Sequence, residues 1–128
     1  MSKTSVNARL AMIQAFANFM DNGSQSATVI FYKGVQPVSP AIAADSNNAL
    51  VTLTFPESCI KETTATYVEL HSTDTATVIK TGTATWARIY NGAGEVAADL
   101  TVGADITLAN TNLVVGGTLS IQSIKLRP

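Results

Sequence analysis

The chain has 128 residues, of which 46% are apolar and only 13% charged, and its net charge is −1. That length suits one domain around one core, while the charged fraction falls well below the usual quarter. The Lys and Arg residues are scattered from Lys3 to Arg127, so the chain has no basic footprint for nucleic acid or an anionic membrane.

Residues 1–22 predict an amphipathic helix. Val6, Leu10, Ile13, Ala17 and Met20 recur at helical spacing, and Met12, Phe16 and Phe19 widen the stripe. Thr4 or Ser5 can cap its start, and Gly23 can take the left-handed turn that ends it. The apolar run from Leu10 to Met20 is broken by Gln14 and Asn18, which matches neither a secretory leader nor a membrane span. Arg9 points into the apolar arc. Either its methylenes carry the charge out to water, or it meets a carboxylate on a docking partner.

From residue 23 to 128 the period changes to two. Ala27–Tyr32 and Leu50–Phe55 read as strands, separated by a loop over 35–48 that contains Pro37 and Pro40. Thr66–Leu70 and Ala76–Lys80 read as weaker strands. Thr83–Tyr90 is expected to pair with Glu95–Leu100 across Asn91–Gly94, where Gly92 and Gly94 offer positive φ. Asp105–Leu108 and Thr118–Ile124 complete the set. About eight short strands at this spacing predict an all-β, antiparallel sandwich or jelly roll with an N-terminal helix. Threonine is the main polar residue. Its β-branch suits a half-buried pleated surface, and a surface so poor in charge is weakly guarded against association.

No arrangement of residues points to a reaction, so the chain is expected not to be an enzyme and to need no cofactor or metal. His71 is the only histidine, which rules out a multi-histidine metal site, and with Asp74 it reads as a surface turn rather than a relay. Cys59 is the only cysteine. It excludes an internal disulfide and reads as a small core residue. Asp99 and Asp105 read as turn residues more readily than as calcium ligands. Glu57, Glu62 and Glu69 lack the placed separation and groove that glycoside hydrolysis requires. Gly92-Ala93-Gly94 precedes a strand, so it does not form a phosphate cradle.

In the hairpin, Ala84, Trp86, Arg88 and Tyr90 share one face of an extended strand. Trp86 would bury a large area there, with Arg88 at the rim. Arg88 is expected to pair with Asp99 or Glu95, or else to reach a neighbouring subunit.

Gly82-Thr83-Ala84-Thr85-Trp86-Ala87-Arg88-Ile89, the turn Gly92-Ala93-Gly94, the strand containing Val96, Ala104–Leu108 and Gly116–Ile121 together resemble a family of small virion proteins of tailed bacteriophages. The helix start Asn7-Ala8-Arg9-Leu10 is similar too. The resemblance covers the helix and most of 82–124, and it fades between 35 and 80. It implies a non-enzymatic, multicopy part of the particle (neck or collar, head decoration, or tail), made in the host cytoplasm. The implied partners are the chain itself and portal or connector, capsid or tail subunits, with no nucleic acid and no membrane. The expected assembly surface is the helix face of Arg9, Leu10, Ile13, Phe16 and Met20, which would anchor to a neighbour or close the sandwich. Trp86, Arg88, Tyr90, Gly92 and Gly94 form the core hairpin. The alternative is an adhesin or glycan-binding module of a tail fibre, which would need exposed aromatics among Tyr32, Tyr67, Trp86 and Tyr90.

Overall fold

The computed structural model describes residues 5–56, 59–64, 67–104, 106, 108, 110–121 and 124–126. Helix α1 (Val6–Met20) is capped by the Ser5 hydroxyl, which accepts from Ala8 N at 3.1 Å. Among the described residues eleven strand segments follow: β1 (Thr28–Tyr32), β2 (Ala49–Thr54), β3 (Ile60–Thr63), β4 (Val68–Leu70), β5 (Ala76–Thr77), β6 (Gly82–Thr83), β7 (Trp86–Tyr90), β8 (Val96–Thr101), β9 (Asn112–Leu113), β10 (Thr118–Leu119) and β11 (Ile124–Leu126). The strand-rich, antiparallel class expected from the residue pattern is present, with one α-helix and open sheets among the described residues.

The main sheet has the order β2-β1-β7-β8, and β11-β4-β3 forms a second sheet. Two short pairs, β10-β5 and β6-β9, accompany them. β1, β2 and the β7–β8 hairpin stand close to their expected positions. The strand expected over Thr83–Tyr90 is broken at Ala84 and Thr85, because Ala84 N turns to Thr111 O and Thr85 N to Tyr32 O. β3 and β9 fall outside the expected strands, and the strand expected over Thr118–Ile124 is instead β10 and, from Ile124, β11, which belong to different sheets. Asp105 and Thr107 lie outside the described residues, while Ile106 bridges to Val102.

Register sets what each face of the main sheet buries. Val29 pairs with Leu53 and Ile89, and Phe31 with Val51 and Ala87. These side chains point inward and join Leu50, Phe55, Cys59, Leu70 and Val78 in one core cluster. The helix adds to that cluster. Ala17 and Met20 are fully buried, and Ile13 and Phe16 pack against the core, where α1 meets β3, β4 and β8. Of the helix face expected to anchor a neighbour, Met20 is therefore spent in the chain's own core, and Ile13 and Phe16 are half-buried there. The apolar stripe is also narrower than expected, since Met12 and Phe19 are exposed. Arg9 and Leu10 belong to α1, but their side chains lie outside the described residues.

The exit of the helix is tied to the hairpin, backbone against backbone. Gly92 N donates to Met20 O at 3.3 Å, and Gln25 N donates to Gly92 O at 3.2 Å. Gly23 takes φ +109° there. The Asp21 carboxylate accepts from Cys59 N at 2.7 Å, which anchors the last helical turn beside β3.

Candidate functional site

The other face of the main sheet is the unusual one. By alternation it carries Tyr32 opposite Trp86, Ile30 opposite Arg88 and Thr28 opposite Tyr90, with Thr101 and Asp99 next on β8. An outer sheet face would ordinarily be wet and polar. Here Tyr32, Trp86 and Arg88 are all buried, although the aromatic pair stands outside the main core cluster.

The cover is the β1–β2 connection. β1 and β2 are antiparallel neighbours, for which a hairpin of roughly two to five residues suffices. The chain instead runs from Lys33 to a 3-10 turn at Ser46–Asn48. It is pinned to the sheet at three points. Thr85 Oγ1 donates to Gly34 O at 2.6 Å, Thr101 Oγ1 to Gln36 Oε1 at 2.8 Å, and Arg88 Nη1 to Ile42 O at 2.7 Å. These three anchors surround Trp86. Asp45 caps the 3-10 turn by accepting from Asn47 N at 2.9 Å, and Lys80 Nζ donates to the Asn47 carbonyl.

Arg88 is the hub of this strap. Its Nε and Nη2 meet Asp99 Oδ1 and Oδ2 at 2.6 and 3.0 Å, a bidentate pair. Its guanidinium carbon stands 5.3 Å from the Trp86 ring centroid, within cation–π range. Trp86 in turn stacks on Tyr32, with centroids 4.5 Å apart and planes 16° from parallel. The Tyr32 and Tyr90 hydroxyls are 3.2 Å apart. Asp99 holds the guanidinium charged and raises its pKa, against the opposing effect of burial. Burial, then the Tyr90 hydroxyl, raises the Tyr32 phenol well above its ordinary value.

The pairing of Arg88 with Asp99 agrees with one of the sequence-based alternatives. The expected rim position does not hold: Arg88 is 1% exposed, because the strap closes over it. Asp99 is correspondingly committed to Arg88, and Asp105 lies outside the described residues. Asn91 organises the hairpin turn. Its Oδ1 accepts from Ala93 N and Glu95 N, and its Nδ2 donates to Glu95 Oε1 at 3.0 Å. Gly94 takes φ +82°, while Gly92 is required for close approach rather than for positive φ. The Trp86 Nε1–H is buried without an acceptor among the described residues.

Other chemistry-bearing residues are dispersed. Glu62 and Glu69 are cross-strand partners, with Lys125 on the far side of Glu69. Glu57 lies outside the described residues. Tyr67 donates to Glu62. Asp74 accepts from Thr54 N at 2.8 Å, and His71 N donates to Cys59 O. No group of three or more His, Cys, Asp or Glu among the described residues is arranged to hold a metal. No described helix is long and apolar enough to cross a membrane. A cleft of about 210 Å³ lies between Gln25, Thr28, Ile30, Tyr90 and Asn91.

Cys59 is fully buried, and its thiol donates to Ala17 O at 3.5 Å. Burial, then the Asp21 carboxylate, pushes the thiol from 9.0 up to about 12. A shift of that size leaves roughly a thousandfold less thiolate near neutral pH. Native Cys59 is therefore expected to resist iodoacetamide at pH 8 and to react promptly in denaturant. The folded thiol keeps its proton where the unfolded one has lost it. This contribution to stability is whole below pH 9 and is lost as pH rises towards 12. Melting curves across that window, compared with those of Cys59→Ala, isolate the thiol; equal alkaline slopes would refute the assignment.

Protein-family models, curated proteins and solved structures were all compared with this chain, and none matches it.

Proposed function

We propose that this chain is a structural component of a tailed-phage virion, a neck, collar or head-surface protein that works by multicopy assembly. In this reading the open sheets and the helix make up a β-sandwich with one helical flank. Its partners are further copies of itself and the portal, capsid or tail subunits beside them. The placement in a phage particle rests on the resemblance carried by Gly82–Gly94 and Gly116–Ile121.

The observation that carries the assembly reading is a set of large aliphatic side chains left in water. Val35 and Val38 are 93% and 96% exposed, and Ile79, Val114 and Val115 are more than half exposed. Single exposed apolar residues are ordinary, but grouped ones mark association surfaces. If half of an ~800 Å² face were apolar, its burial would contribute about 10 kcal/mol before association costs. Symmetric repetition multiplies such contacts.

A glycan-binding module would present open aromatic rings. Trp86 and Tyr32 are buried under the strap, and Tyr67 and Tyr90 are half-buried, which favours assembly over that alternative. The test is sedimentation over a range of concentrations, together with mass spectrometry of purified particles. The expected result is concentration-dependent oligomers and stoichiometric incorporation. A chain that stays monomeric and is missing from particles would refute the reading.

A further inference from the structure

The pair Asn-Gly occurs twice in the chain, at Asn22-Gly23 and Asn91-Gly92. Glycine has no side chain to screen its own amide nitrogen, so in this pair the nitrogen can approach the asparagine carboxamide carbon. The fold brings both copies to one place, the junction of α1 with the β7–β8 hairpin, where Gly92 N donates to Met20 O and Gln25 N donates to Gly92 O.

One copy is locked and the other is open. Asn91 is 3% exposed. Its Oδ1 accepts from Ala93 N and Glu95 N at 3.0 and 2.9 Å, and its Nδ2 donates to Glu95 Oε1. The Gly92 N–H beside it is committed to Met20 O. Asn22 and Gly23, in contrast, are exposed at the helix exit. Among the described residues the Asn22 carboxamide has no hydrogen-bond partner and the Gly23 N–H has no acceptor. Packing also fixes the glycine of this open pair. Gly23 takes φ +109°, and a Cβ there would stand 2.3 Å from Ala93 N.

We propose that Asn22 is a site of spontaneous deamidation, and that the modification loosens the helix–hairpin junction. The Gly23 amide nitrogen attacks Asn22 Cγ. The N–Cγ bond forms, the carboxamide C–N bond breaks, and ammonia leaves with the proton that the Gly23 nitrogen gives up. Water then opens the five-membered imide. Attack at Cγ gives aspartate; attack at the former backbone carbonyl gives isoaspartate, in which the main chain runs through Cβ and Cγ and is one methylene longer. No electron is transferred, and water is the only co-reactant. Both products place a carboxylate beside Asp21 at the C-terminal end of α1, where the helix dipole disfavours negative charge. Isoaspartate also lengthens the backbone where there is no room. The Asn22 carbonyl lies so close to the hairpin that a Cβ on Gly92 would stand 2.9 Å from it. The helix exit is displaced from Gly92, and Cys59, which is bonded to Ala17 and Asp21, loses its cover.

Peptide mapping of aged protein tests this. Cleavage after Lys and Arg puts Asn22 in the peptide Leu10–Lys33 and Asn91 in Ile89–Lys125, and electron-transfer fragmentation separates aspartate from isoaspartate at each position. In folded protein kept in mildly alkaline buffer, conversion at Asn22 is expected to be at least about 10-fold faster than at Asn91, whose hydrogen bonds must first open. In denaturant the two rates are expected to converge. Aged wild type is expected to show faster alkylation of Cys59 than fresh protein, whereas Asn22→Gln, aged in the same way, is expected to keep its starting rate. Asn22→Asp, which adds the charge without the methylene, is expected to fall between them. If Asn22 in folded protein stays unmodified, or converts no faster than Asn91, the site is wrong. If Asn22 converts but Cys59 in the aged protein reacts as it does in fresh protein, the loosening is wrong.

Discussion

Arg88→Met is expected to lower the free energy of unfolding by about 3–5 kcal/mol, because it leaves a buried carboxylate without its partner. For a chain of this size that corresponds to a fall in Tm of roughly 10–20 °C. The magnitude follows from what Arg88 touches. Asp99 is paired at 2.6 and 3.0 Å with a guanidinium that has almost no access to water. Methionine retains much of the packing against Trp86 but supplies no donor. The Ile42 carbonyl loses its bond as well, so the strap is released at the same step. The double variant Arg88→Met/Asp99→Leu separates the two effects. Removing both charges is expected to recover stability to within about 1–2 kcal/mol of wild type, while the strap remains loose. Urea titration gives the energies, and proteolysis between Lys33 and Asp45 reports the strap. If the single variant loses less than about 1 kcal/mol, Asp99 must reach water once Arg88 is gone.

The residues that were legible beforehand are those whose side-chain pattern encodes their structure. α1 announces itself by spacing and by the Ser5 cap. β1 and β2 alternate clearly, and the Asn91–Gly94 turn carries its own chemistry. β3 was not legible, because Ile60-Lys61-Glu62-Thr63 places two charges side by side and shows no clear alternation. β9 is two residues long. β7 illustrates a deeper difficulty. Trp86-Ala87-Arg88-Ile89-Tyr90 does not alternate, and its first four residues are buried on both faces, so its pattern cannot say which face meets the core. What decides it is the strap, and its key contact uses the Ile42 carbonyl, a group that every residue possesses. Equally, an apolar helix face reads the same whether it covers its own strands or a neighbour's. Only the burial of Ala17 and Met20 distinguishes the two.

Gly92→Ala is expected to cost about 3 kcal/mol, and its cause is close approach rather than turn conformation. A methyl group at Gly92 would stand 1.8 Å from Gln25 O and 2.9 Å from Asn22 O. Both are backbone atoms, so neither can swing aside. Relief requires the hairpin to move away from the helix exit, which breaks Gly92 N to Met20 O and Gln25 N to Gly92 O. Loss of two partly buried bonds together with overpacking reaches the stated magnitude. Gly94→Ala is the control. It meets nothing within 4 Å but sits at φ +82°, where a side chain costs about 1 kcal/mol. Gly94→Asn is expected to cost less still, since asparagine tolerates that region. The ordering should reappear in an independent readout. Ala17 and the C-cap residue Asp21 bond to Cys59, so a helix exit loosened by loss of its bond to Gly92 exposes the thiol. Gly92→Ala is expected to speed native-state alkylation of Cys59, and Gly94→Ala to leave it close to wild type. Equal stability losses and equal labelling rates in the two variants would show that the junction has slack the close contacts do not allow.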